Sequence, residues 1–66
     1  MKIDQVRDGG AALVRLDGRL DREWAEHLSN TLDDLLRDGV RSLSLDLSEV
    51  TYISSAATRV IARTFE

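Results

Sequence analysis

Two adjacent serines, Ser54 and Ser55, are the residues of this chain best suited to chemistry. An apolar segment precedes them and apolar residues at helical spacing follow, which predicts a strand, a short loop and a helix that begins at the serines. Backbone N–H groups at a helix start lack intrahelical partners and lie at the positive end of the helix dipole. A phosphate attached there would be stabilised by both effects. The pair is therefore either a phosphoacceptor site or a helix cap, a role in which serine is favoured.

The composition indicates one small globular domain that spans residues 1–66. Apolar residues make up 42% and charged residues 32% of the chain, a balance typical of folded domains. The net charge of −3 and the lack of a basic cluster argue against nucleic acid as a partner. The N-terminus has no apolar run of signal-peptide type, and no segment approaches the ~20 apolar residues of a membrane span. We therefore expect a cytoplasmic protein that does not insert into membranes.

The first half of the chain predicts a β-hairpin followed by a helix. Residues 2–17 form the hairpin, because Asp8, Gly9 and Gly10 favour a turn and the residues after them alternate in polarity. Asp21 is a predicted N-cap, and Gly39 supplies the expected C-terminal stop. Between them a stripe of helical period consists of Trp24, Ala25, Leu28, Leu32, Leu35 and Leu36. We expect Trp24 to pack in the core rather than to bind a ligand.

The second half predicts a one-sided strand and a second helix. Leu43, Leu45 and Leu47 share one face of a strand over residues 41–47, whereas the other face is polar. Parallel strands covered on both faces read as continuous apolar runs, so both helices should lie on one side of the sheet. The strand–helix–strand order implies parallel pairing through a right-handed crossover. The second helix is predicted from Ala57, Val60, Ile61, Thr64 and Phe65.

The β-β-α-β-α order, with residues 18–21 before the first helix and residues 45–48 before the second, resembles the STAS family of sulfate transporters and anti-sigma-factor antagonists. Residues 50–56, Val-Thr-Tyr-Ile-Ser-Ser-Ala, look like its signature loop, which reads in type aromatic, apolar, Asp, Ser, Ser or Thr, Gly, Leu. The resemblance implies an α/β fold in which helices pack on one face of a mixed sheet. It also implies that the chain lacks the family's C-terminal strand and helix, which would leave an open sheet edge for another chain or a second copy to cover.

The resemblance further implies a partner switch that regulates transcription. In the antagonist branch, the unphosphorylated protein binds an anti-sigma factor that is also a serine kinase, and phosphorylation ends that interaction. Ser55 matches the phosphoacceptor, with Ser54 as the alternate at the position of the loop Asp. The implied partner-binding residues are Asp21, Thr51, Tyr52, Ser54 and Ser55. Ala57 stands where the family has glycine, so we expect its methyl group to limit the approach of a partner.

Other functions remain as alternatives. One is an STAS subunit or scaffold of a transport or stress-signalling complex that is not phosphorylated, and another is an inactive domain fragment. A hydrolase with Ser55 as nucleophile would need a base within hydrogen-bond reach. The only histidine, His27, is predicted on the polar face of the first helix, so we expect no enzyme. The chain has no cysteine, and with a single histidine we expect neither a metal nor another cofactor.

Overall fold

A computed structural model of the protein describes residues 1–65. Three strands and two helices follow one another in the predicted β-β-α-β-α order, which is therefore confirmed. Their bounds are β1 Lys2–Asp8, β2 Ala11–Leu20, α1 Arg22–Arg37, β3 Ser42–Ile53 and α2 Ser55–Thr64. None of the helices in residues 1–65 is long and apolar enough to cross a membrane.

The sheet is mixed, with β2 in the centre and strand order β1-β2-β3. β1 and β2 pair as an antiparallel hairpin across a turn at Gly9 and Gly10. Gly9 has a φ of 61°, a left-handed conformation that glycine adopts without a steric penalty. β2 and β3 pair in parallel, which matches the predicted helical crossover. Within residues 1–65, β3 pairs only with β2 and therefore forms one edge of the sheet.

The core lies between the sheet and the two helices, on one face of the sheet as predicted. Strand β2 contributes alternate residues that are almost fully buried, and α1 contributes a stripe of the same kind. These core residues are Ala12, Val14, Leu16 and Leu20 from β2 and Ala25, Leu28, Leu32 and Leu35 from α1. The central strand and α1 therefore supply most of the buried apolar surface, which is the main source of stability in a domain of this size.

Strand β3 is longer than the sequence pattern predicts. It runs for 12 residues to Ile53, whereas we expected a loop after Leu47. Its 12 residues pair with the 10 residues of β2, and two β-bulges accommodate the two extra ones. A bulge shifts the alternation of faces, so the half-buried positions change from Leu43, Leu45 and Leu47 to Val50. Because the alternation of polar and apolar residues is interrupted after Leu47, the sequence pattern indicated the end of the strand there, and that prediction was wrong.

Side-chain hydrogen bonds stabilise the first of these bulges. Ser48 has no partner on β2, and its backbone N–H and hydroxyl both donate to Asp46 Oδ1, at 3.0 and 2.6 Å. These two bonds, the hydroxyl bond first, lower the pKa of Asp46 below its ordinary value of 3.8. The guanidinium of Arg15 on β2 adds a smaller effect in the same direction. Asp46 is therefore ionised across the neutral pH range and satisfies the backbone that the bulge leaves unpaired.

The two helices differ in how deeply they are buried. α1 begins after Asp21, whose Oδ1 accepts from the backbone N–H of Trp24 at 3.2 Å, so the predicted cap is confirmed. Trp24 itself is half-buried against the core, as expected for a packing residue, whereas Leu36 is 46% exposed although it belongs to the predicted stripe. In α2 only Ala57 is fully buried, whereas Ala56, Val60 and Ile61 pack against the core with part of their surface exposed.

Candidate functional site

The parallel pairing of β2 and β3 places the starts of both helices at one edge of the sheet. Leu20 and Ile53, the last residues of the two strands, are paired in the register. The backbone N–H of Ser54 then donates to the carbonyl oxygen of Leu20 at 2.9 Å. Because neighbouring strands lie about 4.8 Å apart, the residues that follow them are close in space although 33 positions separate Asp21 from Ser54 (54 − 21 = 33).

Ser54 is the N-cap of α2 and is largely inaccessible. Its side chain is 8% exposed, and its Oγ accepts from the backbone N–H of Ala57 at 3.2 Å. Its carbonyl oxygen accepts from the backbone N–H and from the hydroxyl of Thr58, both at 3.0 Å. The bond to Oγ satisfies a backbone N–H that a helix start leaves unpaired, and the bond from the Thr58 N–H is the first intrahelical one. The hydroxyl of Ser54 is thus engaged in the structure of the helix.

Ser55 is the first residue of α2 and is exposed. It lies in an open depression of ≈ 300 Å³, whose lining residues are Arg22, Tyr52, Ser54, Ser55, Ala56 and Arg59. The structure therefore brings together three of the five predicted partner-binding residues, namely Tyr52, Ser54 and Ser55. The two serines are not equivalent, since only Ser55 presents its hydroxyl to solvent.

The remaining predicted residues, Asp21 and Thr51, flank this depression without lining it. Asp21 is half-buried and its carboxylate caps α1. Thr51 is exposed on β3, at the second bulge, where it has no partner on β2. The neighbouring Tyr52 is 45% exposed and contacts Arg19, whose guanidinium carbon lies 4.5 Å from the centre of the Tyr52 ring. Cation–π contacts of this kind hold both side chains in place.

Sequence reasoning missed the arginines of the site. Arg22 follows the cap of α1, and Arg59 lies four positions after Ser55 on α2, where side chains share one helix face. The Ser55–Arg59 spacing was a signal available in the sequence. The position of Arg22 was not, because it depends on the parallel register that brings the two helix starts together.

The expected effect of Ala57 on a partner's approach is wrong. Ala57 is fully buried, so its methyl group faces the core and not the surface around Ser55. The side chain that faces the depression at this turn belongs to Ala56.

The chemistry available to Ser55 is limited by its neighbours. Among the described residues, those that line the depression include no histidine, aspartate or glutamate that could act as a base toward the hydroxyl. His27 instead packs edge-to-face against Trp24 on α1, with ring centres 5.1 Å apart. Residues 1–65 contain no group of three or more side chains able to hold a metal ion. The charged side chains that line the depression are the two arginines, Arg22 and Arg59.

Several solved structures are similar to this chain, including the following two. One is the crystal structure of the protein Mglu, which is 31% identical in sequence and superposes with a TM-score of 0.79. This match covers 92% of the present chain and 15% of the Mglu chain. The other is the anti-sigma factor antagonist SpoIIAA in its unphosphorylated form, with 12% identity, a TM-score of 0.83, and coverage of 60% of that chain and 97% of this one. The chain thus spans less than two thirds of either protein. A search of curated protein sequences gave no match.

A family model provides the more specific comparison. The model described as "Mlab, STAS domain" matches residues 3–64, which include all three strands and both helices. This match agrees with the similarity of the fold to that of SpoIIAA. The chain therefore belongs to the STAS family.

Proposed function

We propose that this protein is an anti-sigma-factor antagonist-like binding module whose partner switch is controlled by phosphorylation of Ser55. Its partner would be an anti-sigma factor with serine kinase activity, and the output would be the regulation of transcription in the cytoplasm. In this role the protein binds a partner and catalyses no reaction. SpoIIAA, which has the same fold, is an anti-sigma factor antagonist that has an unphosphorylated form.

The division of roles between the two serines is the observation that carries this proposal. Ser54 forms the cap with a hydroxyl that is buried, whereas Ser55 begins the helix and is exposed. A kinase needs an accessible hydroxyl in a segment that it can contact. Ser55 meets that requirement, and its modification leaves the Ser54 cap intact, which favours Ser55 over the alternate Ser54.

The consequence of phosphorylation would be local. A phosphate adds about −1.5 to −2 charges at neutral pH. At a helix start the dipole favours such a charge by about 0.3–1 kcal/mol, which is too little to reorganise a folded domain. The phosphate would therefore act on the surface formed by Asp21, Thr51, Tyr52 and Ser55, where its bulk and charge exclude a partner.

The test is to isolate the tagged protein from its native cells in growth and under stress, and to locate phosphate by intact mass and peptide mapping. We expect one phosphate, on Ser55, in wild type and none in Ser55→Ala. Proteins that co-purify with Ser55→Ala should be lost with Ser55→Asp. Ser44→Asp, at an exposed serine on β3, is the matched control and should retain them. Absence of phosphate under all conditions, together with equal co-purification by all variants, would overturn the proposal.

One observation favours a second candidate, an STAS subunit that assembles without phosphorylation. Ser54 stands at the position of the family's loop Asp, so the site lacks a carboxylate next to the acceptor hydroxyl and uses a neutral cap instead. In that case the same surface would bind a constant partner, such as a component of a transport or stress-signalling complex. Partner binding that tolerates Ser55→Asp would support this candidate.

A further inference from the structure

The depression beside Ser55 is the centre of a basic patch on an acidic protein. The chain has a net charge of −3, yet Arg22 and Arg59 line the depression, and Arg19 stacks on the ring of Tyr52, another of its lining residues. Within residues 1–65, none of these three arginines forms an ion pair. Arg41 and Arg63 form none either, whereas the basic residues at positions 2, 7, 15 and 37 do. Two carboxylates are adjacent to Arg22 in sequence: Asp21 is engaged as the cap of α1, and Glu23 forms no ion pair with Arg22 within the described residues.

Two features relate this patch directly to the Ser55 hydroxyl. Ser55 and Arg59 are four residues apart on α2, a spacing at which side chains meet on one helix face. Arg22 reaches the same depression from the start of α1. A guanidinium group binds phosphate and carboxylate oxygens through paired N–H donors, which makes arginine the preferred side chain for both anions.

Building on the proposed function, we propose that Arg22 and Arg59 bind an acidic segment of the partner, and that phosphorylated Ser55 displaces it by occupying the same two guanidinium groups. The partner surface is thus rich in Asp or Glu. The phosphate acts as an internal competitor, in addition to any bulk that it adds.

The charges in the depression fit such a competition. The two arginines contribute two positive charges, and a phosphoserine contributes about −1.5 to −2 at neutral pH. Phosphorylation would therefore leave the depression close to neutral and remove its attraction for an acidic surface.

The first experiment measures whether the arginines contact the phosphate. Phosphoserine is incorporated at position 55 of the full chain, and its second pKa is followed by phosphorus NMR. We expect the pKa to lie below that of a phosphopeptide comprising residues 50–58, which contains neither arginine. Arg22→Gln and Arg59→Gln should each raise it, whereas Arg63→Gln, farther along α2, should not. A pKa equal in the full chain, both variants and the peptide would overturn the proposal.

The second experiment measures the competition, with a fluorescent ten-residue glutamate peptide as the acidic probe. At low salt we expect the unphosphorylated chain to bind it at least about tenfold more tightly than the phosphorylated chain. Arg22→Gln and Arg59→Gln should weaken binding by a similar factor, and binding should decrease as salt screens the charges. Equal binding by the phosphorylated and unphosphorylated chains would overturn the proposal.

Failure of this inference can be distinguished from failure of the proposed function. Both experiments use phosphoserine placed at position 55 by design, so they do not depend on a kinase. Absence of phosphate in cells would refute the proposed function and leave the arginine contacts as measured. Phosphate on Ser55 in cells with an unperturbed pKa would refute the inference alone.

Discussion

The two helices begin side by side with nearly the same cap, yet their N-termini differ in charge. Asp21 caps α1 and Ser54 caps α2, each accepting from the backbone N–H three residues later at 3.2 Å. The first turn of α1 contains Glu23 in addition to its Asp cap, so acidic groups offset the positive end of its dipole. The first turn of α2 contains no acidic residue, and Arg59 follows close behind.

The difference in charge accompanies a difference in packing. α1 has four fully buried residues and a start whose charge is compensated within the chain. α2 has one fully buried residue and a start that a negative group would stabilise. The fold thus combines one firmly packed helix with one that is less buried and whose first turn contains no acidic residue.

The largest expected effect is on the free energy of unfolding, and it compares how tightly the two helices are packed. Leu28→Ala in α1 removes a side chain with no exposed surface and should lower the free energy of unfolding by about 2–5 kcal/mol. Ile61→Ala in α2 removes a half-buried side chain and should cost about 1–2 kcal/mol. Urea denaturation followed by circular dichroism measures both. An equal cost for the two variants would contradict the contrast in burial.

The next effect separates the two cap residues from the exposed serine, Ser55. Asp21→Ala and Ser54→Ala should each cost about 0.5–2 kcal/mol, because each leaves a backbone N–H unsatisfied. Ser55→Ala should change stability by less than about 0.5 kcal/mol, since its side chain is exposed. The same denaturation measurement applies to all three. If Ser55→Ala lowered the free energy of unfolding as much as Ser54→Ala, the assignment of the cap to Ser54 would be contradicted.

The smallest effect concerns the bulged strand that leads to α2. Because the folded-state pKa of Asp46 is lowered below 3.8, its contribution to stability is present above that pH and is lost as the pH falls through the folded pKa. Asp46→Asn should therefore lose less stability than wild type on acidification below pH 4. NMR titration of the Asp46 carboxyl group measures the pKa directly, and Ser48→Ala should raise it toward 3.8. An unchanged pKa in that variant would contradict the role of Ser48.

Most of the fold could be predicted because its signals are local. The turn at Gly9 and Gly10, the Asp21 cap and the apolar stripe of α1 depend on residues a few positions apart. The extent of β3 could not be predicted, since its bulges interrupt the alternation that identifies a strand. The bulges are set by pairing with β2, which no local pattern records.

The candidate site likewise contains residues that local sequence indicated and residues that only the tertiary structure reveals. Residue types at a helix start indicated Ser54 and Ser55, and matching to the family distinguished their roles. Arg22 was missed because it reaches Ser55 only through the pairing of Leu20 with Ile53. Sites assembled from two chain segments require the register, and the register is a tertiary property.

The hydrogen bond from Ser54 to Leu20 has a consequence for folding kinetics. It joins residues 34 positions apart (54 − 20 = 34), across the whole of α1. An isolated helix relaxes in about 0.1–1 μs, but closure of such a long crossover requires the chain to bring distant strands together. The arginine-lined depression therefore forms no sooner than β2 and β3 pair, and the rate of its appearance should report the folding of the domain as a whole.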